Sequence, residues 1–170
     1  GESIRKTIAK LRKEIPDIHI RTTILVGFPG ETEEDFNELL DFVEETRIPR
    51  LGAFAFSDEE GTLSYRMDGK LDEETKNERV EVLMRLQSGI SESLNEEKIG
   101  KTYEVMVDEA VDEETCRYLG RTRYDAPEID DAVEFTGTTS HQPGDIVLVN
   151  VTDSSEYDLY GEEVSHEFTK

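Results

Sequence analysis

The spacing of apolar positions changes character once along this chain, near Gly100. Before that point apolar residues recur at helical intervals, separated by short β-branched runs. Ile4, Ile8, Leu11 and Ile15 form one stripe and predict a helix over 2–15, ended by Pro16-Asp17. His19 to Val26, rich in Ile, Thr and Val, predicts a strand; its run Ile24-Leu25-Val26 predicts burial on both faces. Gly27-Phe28-Pro29-Gly30 then breaks the chain direction. Thr32, with Asp35 three positions on, predicts a capping box, and Phe36, Leu39, Leu40 and Val43 predict the buried stripe of a helix to about residue 46. Leu51 to Phe56 reads as the next strand and 57–69 as a loop. A long helix follows from Asp72 to about Lys98, with Val80, Leu83, Met84, Ile90 and Leu94 on its inner side.

After Gly100 the helical period stops. Tyr103, Val105 and Val107 alternate with Thr102, Glu104 and Met106, as in a half-buried strand. Further strands are predicted over Cys116–Arg123, Ala132–Thr136, Asp145–Thr152 and Glu156–Tyr160. Five short strands in so few residues predict a small closed barrel of the oligonucleotide-binding type. The fold class is therefore α/β over 1–99, part of an open sheet or (β/α) barrel, followed by an all-β five-stranded barrel over 100–168. Two parallel strands are too few for a sheet of the first kind. The expectation is that chain upstream of Gly1 completes it, and that this piece alone leaves apolar strand edges exposed.

Charge adds a difference between the two regions. The 170 residues carry a formal charge of −22. Residues 1–99 hold 14 Lys and Arg against 23 Asp and Glu, a net −9; residues 100–170 hold 5 against 18, a net −13. Such a surface repels phosphate backbones and attracts basic partners, or it serves solubility alone. No apolar run is long enough to cross a membrane, and Gly1 to Lys6 does not resemble a signal peptide. Cys116 is the only cysteine and reads as a small half-buried residue in a strand. His19, His141 and His166 show no metal-ligand spacing, so no metal ligand and no catalytic residue is assigned within this chain.

The stretch Arg21 to Phe36 carries the most information. It is a strand, a tight turn and a capped helix. Glycines at both ends of the turn let backbone approach a ligand, and the turn lies where parallel sheets bind ligands. Glu33, Glu34 and Asp35 argue against a phosphate at the helix start. Taken alone, a Gly-x-x-Gly turn is open to either a ligand-binding or a plain structural reading.

These residues resemble the later half of the radical S-adenosylmethionine (SAM) domain of methylthiotransferases. Phe54-Ala55-Phe56-Ser57 and Glu60-Gly61-Thr62 resemble that domain's next strand and loop, and Gly100-Lys101-Thr102 onward resembles the family's C-terminal TRAM barrel. Gly120-Arg121-Thr122, Asp125 to Asp130 and Tyr157 to Gly161 are most similar to the branch that modifies small-subunit ribosomal protein twelve. A sister branch modifies transfer RNA, for which a basic barrel is expected; the acidic barrel here favours the ribosomal-protein branch.

The resemblance implies a cytoplasmic enzyme that uses SAM and two 4Fe–4S clusters to methylthiolate the β-carbon of an aspartate. It implies a SAM wall at Gly27, Phe28, Pro29, Gly30, Phe56 and Ser57, with Phe28, Phe54 and Phe56 open to reading as core aromatics instead. Arg21 and Thr23 face either the barrel interior or solvent. Asp125, Glu128, Asp130, Asp158 and Glu162 become candidate docking groups for the basic ribosomal protein; RNA is disfavoured as a partner. Each cluster needs three cysteines, so one cysteine holds neither, and the chain alone is expected to be inactive. The alternatives are a transfer-RNA-modifying relative and a stand-alone TRAM-type binding module.

Overall fold

The computed structural model describes residues 1–127 and 129–164. The predicted barrel's last residues, 165–168, lie outside these. The chain divides into two compact units, Gly1–Ile90 and Ser91–Lys170.

The first unit contains α1 (Glu2–Glu14), β1 (Arg21–Val26), α2 (Glu33–Thr46), β2 (Arg50–Ala55), a 3-10 turn at Ser64–Arg66 and most of α3 (Glu73–Glu96). The capping box forms as predicted: Asp35 N–H donates to Thr32 Oγ1 at 3.1 Å, and Thr32 N–H donates to Asp35 Oδ2 at 2.9 Å. Those bonds from Thr32 hold the Asp35 carboxyl below its ordinary pKa. Asp72 starts α3 in the same way, accepting from Thr75 N–H at 2.8 Å.

β1 and β2 pair in parallel, from Arg21 opposite Arg50 to Val26 opposite Ala55. Burial along β1 alternates rather than running continuously. Val26 is fully buried, while Leu25 is 50% exposed and its partner Phe54 is 63% exposed. This corrects the expectation that Ile24-Leu25-Val26 is buried on both faces, and of the two readings left open for Phe54 it removes the core aromatic. A two-stranded sheet buries one face, and Arg21, Thr23 and Leu25 lie on the other. Arg21 and Thr23 are exposed.

The inner side of α3 also differs from expectation. Leu83 and Ile90 are buried, but so are Lys76, Arg79, Gln87, Ser91 and Asn95. Val80, Met84 and Leu94 are only half-buried. The stripe holds its helical spacing, yet polar heads fill much of it and reach backbone oxygens. Gln87 Nε2, for example, donates to the Ile48 carbonyl at 3.0 Å.

The second unit is a closed barrel of β3 (Thr102–Asp112), β4 (Arg117–Thr122), β5 (Val133–Thr136), β6 (Ile146–Ser154) and β7 (Leu159–Glu163), ordered β3-β4-β5-β7-β6. Only β5 and β7 pair in parallel. That order is the one expected of an oligonucleotide-binding barrel. Val105, Tyr118, Phe135, Val149 and Val151 supply much of its core. Gly120 and Gly161 sit where neighbouring backbone crosses closely. A Cβ on Gly120 would lie 2.4 Å from the Met106 carbonyl oxygen, and one on Gly161 2.5 Å from that of Asn150.

Several strand limits move, β3 running on to Asp112 and β6 to Ser154 among them. Cys116 lies in the turn before β4 at φ 53°, half-buried against the barrel core, so it is not a strand residue. The last strand starts at Leu159 because Ser155 and Asp158 close a turn: Ser155 N–H donates to the Asp158 carbonyl at 2.8 Å, and Asp158 N–H to Ser155 Oγ at 2.9 Å. Asn95 secures the same turn. Its Nδ2 reaches the carbonyls of Ser155, Glu156 and Tyr157 at 3.2, 3.3 and 3.2 Å. Asn95→Ala is expected to lower stability by about 1–3 kcal/mol, since these part-buried acceptors lose a shared donor that is itself buried. Urea unfolding followed by circular dichroism measures this; an unchanged midpoint would refute the role given to Asn95.

Candidate functional site

The first candidate site is built at the ends of β1 and β2. Gly27 and Gly30 both adopt left-handed backbone, at φ 77° and 88°. Glu31 folds back so that its Oε1 accepts the Gly27 N–H at 3.0 Å, and Gly30 N–H donates to the Gly69 carbonyl at 2.8 Å. The ladder continues one step past β2, with Phe56 N–H donating to the Val26 carbonyl at 2.8 Å. Phe28 and Phe56 therefore meet edge to face at 5.2 Å. Phe56 is buried and Phe28 is 41% exposed, so the pair presents an accessible aromatic surface. Around Gly30 a Cβ would meet nothing within 4 Å.

Of the six residues predicted to wall a cofactor, Gly27, Phe28, Pro29, Gly30 and Phe56 gather at these strand ends. Ser57 follows Phe56, is exposed, and donates from its hydroxyl to Glu59 Oε1 at 3.2 Å. The accessible aromatic face and the open side of Gly30 suit a flat heterocycle with a backbone contact, as the adenosine part of SAM would need. A cluster does not fit in the same sense. Among the described residues no group of three or more His, Cys, Asp and Glu is placed to hold a metal, and the sequence has a single cysteine.

Three residues at this site were not among the predicted site residues: Glu31, which lies within the Arg21 to Phe36 stretch, Lys76 and Arg79. Arg79 Nη1 donates to Glu31 Oε1 at 2.5 Å, its Nη2 pairs with Glu33, and its guanidinium lies 5.1 Å from the Phe36 ring centroid. Burial opposes the Arg79 charge, but Glu33 and Glu31 outweigh it and leave the pKa above its ordinary value. Lys76 Nζ donates to the Phe56 carbonyl at 3.0 Å and pairs with Glu73. One signal was available in the sequence: residues 76, 79, 83, 87 and 90 keep helical spacing, and two of these inward positions are cations.

The second candidate site is the outer face of β4 and β5, the face with which oligonucleotide-binding barrels meet nucleic acid. Its arginines are already neutralised. Arg117 pairs with Glu134 across the two strands, and Arg121 pairs with Asp108 of β3. A cleft of about 470 Å³ opens beside them, lined by Asp108, Glu109, Arg121, Asp130 and Asp131 among others.

The predicted docking acids divide. Asp125 Oδ2 accepts from the Thr122 hydroxyl at 2.6 Å, Asp130 Oδ2 from Ala126 N–H at 2.6 Å, and Asp158 Oδ1 from Ala132 N–H at 3.0 Å. Asp125 and Asp130 each spend an oxygen on a turn, and Asp158 spends one on the residue that precedes β5, 26 positions away. Glu162 is exposed on β7, and Glu128 lies outside the described residues. Of the described members of the set, only Asp130 lines the cleft. Asp108, Glu109 and Asp131 were missed because only the pairing of β4 with β3 and β5 joins them there.

Comparison with known proteins bears on both sites. The TRAM domain family matches residues 99–164. A protein of Clostridioides difficile named "Ribosomal protein uS12 methylthiotransferase RimO" is 49% identical over 161 residues, covering 95% of this chain and 36% of the relative. Proteins of the same name from Parabacteroides distasonis and Carboxydothermus hydrogenoformans are 46% and 48% identical, over 91% and 95% of this chain and 35% and 37% of their own lengths. The chain thus spans about a third of the curated relatives it matches. It carries a TRAM domain at one end and, along nearly its whole length, is similar to part of these methylthiotransferases.

Proposed function

We propose that this chain is the C-terminal portion of a radical SAM methylthiotransferase acting on ribosomal protein uS12, at the β-carbon of an aspartate. Residues 1–99 contribute part of the SAM-binding barrel and the TRAM barrel over 100–168 docks the substrate. The relatives' names support the substrate class. The observation that carries the docking role is the neutralisation of Arg117 and Arg121 on the face where a nucleic-acid binder needs free cations. With a net −13 over residues 100–170, this surface repels RNA and draws a basic protein, through a summed field more than through single pairs. Asp125, Glu128, Asp130, Asp158 and Glu162 contribute to that field.

When bound, SAM and its cluster would supply the radical chemistry. Gly27, Phe28, Pro29, Gly30, Phe56 and Ser57 would hold the adenosine part. The two 4Fe–4S clusters need cysteines from further polypeptide, and this chain alone is inactive in our reading. The working compartment is the cytoplasm, where ribosomal proteins are made; among the described residues no helix is long and apolar enough to cross a membrane.

The test is a titration of the 170-residue chain with purified uS12 and with transfer RNA at several salt concentrations. Binding to uS12 that weakens as salt rises, with no RNA binding, is expected. Tighter binding to RNA would move the chain to the transfer-RNA branch, and binding to neither would return its acidity to solubility.

A further inference from the structure

Two cations three residues apart on α3 are almost completely buried: Lys76 is 4% exposed and Arg79 5%. A helix packing on a sheet for stability alone has no need of them, since apolar side chains in place of a buried ion pair are often neutral or stabilising. Both reach the ends of the strands. Lys76 holds the Phe56 carbonyl, and its stem occupies the space beside Gly27, where a Cβ would come within 2.3 Å of Lys76 Cγ. Arg79 holds the Glu31 carboxylate that accepts the Gly27 N–H. Its own Nε is buried with no hydrogen-bond partner among the described residues, so its placement serves the two terminal nitrogens.

We propose that Lys76 and Arg79 are positioning residues for adenosine binding: from one turn of α3 they fix the Gly27 turn and the Phe56 carbonyl, and so set the Phe28–Phe56 aromatic surface. This rests on the reading that Gly27 to Gly30 and Phe56 wall the SAM site. The two cations touch no ligand themselves. They act on backbone atoms whose neighbours do.

The test uses the full-length, cluster-loaded enzyme that contains this chain, with S-adenosylhomocysteine as the probe in calorimetry, well below the thermal midpoint. Lys76→Met keeps the stem beside Gly27 and loses the ammonium. Its partner Glu73 is largely exposed, so no buried carboxylate is stranded. The expected result is affinity about tenfold weaker, the scale of a loosened supporting contact. A residue with a merely structural role would lower the midpoint and leave affinity unchanged. Unchanged affinity therefore overturns the proposal, and Phe28→Ala identifies what failed. If Phe28→Ala weakens binding and Lys76→Met does not, the site reading stands and the positioning role falls; if neither does, both fall. Should Lys76→Met not fold, Glu31→Gln keeps an acceptor for Gly27 N–H and drops the charge held by Arg79. Weaker binding in that variant supports the proposal, and wild-type affinity overturns it.

Discussion

Tyr118→Ala is expected to unfold the barrel, or to bring it close to unfolding at room temperature. Among the described residues Tyr118 is the largest fully buried side chain, 1% exposed, with its ring 5.6 Å from that of Phe135 and 5.3 Å from that of His141. Its hydroxyl accepts the His141 N–H at 3.1 Å and donates to the Thr139 carbonyl at 3.4 Å, so one side chain joins the core to the loop before β6. Truncating a buried aromatic ring costs about 3–5 kcal/mol, and a small barrel has little more than that to lose. Tyr118→Phe keeps the ring and should cost about 1 kcal/mol, the net value of an ordinary hydrogen bond. Urea midpoints by circular dichroism separate the two contributions. An alanine variant as stable as the phenylalanine variant would show that the ring is not what holds the barrel.

Arg79→Ala should have an effect of similar size in the first unit. The Glu31 carboxylate has a side chain only 14% exposed, and the Arg79 guanidinium is its cation. Removing one partner of a buried pair costs about 3–5 kcal/mol because the other is left charged in a poorly solvated place. Glu33 loses the same guanidinium with little penalty, since its side chain is 71% exposed. The double variant Arg79→Met, Glu31→Gln should recover most of the loss: the glutamine oxygen can still accept the Gly27 N–H and no charge remains buried. Chemical denaturation of the three proteins measures this. A double variant no more stable than Arg79→Ala would mean that lost packing of the guanidinium on Phe36, and not the stranded charge, is the cause.

The helices and strands were legible because each rests on local spacing. The box at Thr32 and Asp35 spans a single helical turn, and the alternation of Tyr103, Val105 and Val107 needs only one strand. Limits were less legible where a long-range bond decides them. Leu159 opens β7 because Asn95, some sixty residues earlier, joins the preceding turn to the end of α3. The candidate cofactor wall followed from the Gly27 to Gly30 turn and its resemblance to a family. Its support did not, because Lys76 and Arg79 look like surface residues to any rule that expects cations outside.

By itself, then, the sequence determined the order of elements, the change from helical to alternating period near Gly100, the acidity of the barrel region and the resemblance to methylthiotransferases. Those are local or additive properties, readable one window at a time. Tertiary structure alone decided which polar residues go inside and which acids act together. Pairing of β4 with its neighbours β3 and β5 brings Asp108 to Arg121 and sets Asp131 on the same cleft, and the packing of α3 on the strand ends carries Arg79 to Glu31, 48 positions away. A buried charge is tolerated only where its partner arrives, and partners so far apart in the chain are joined by the fold.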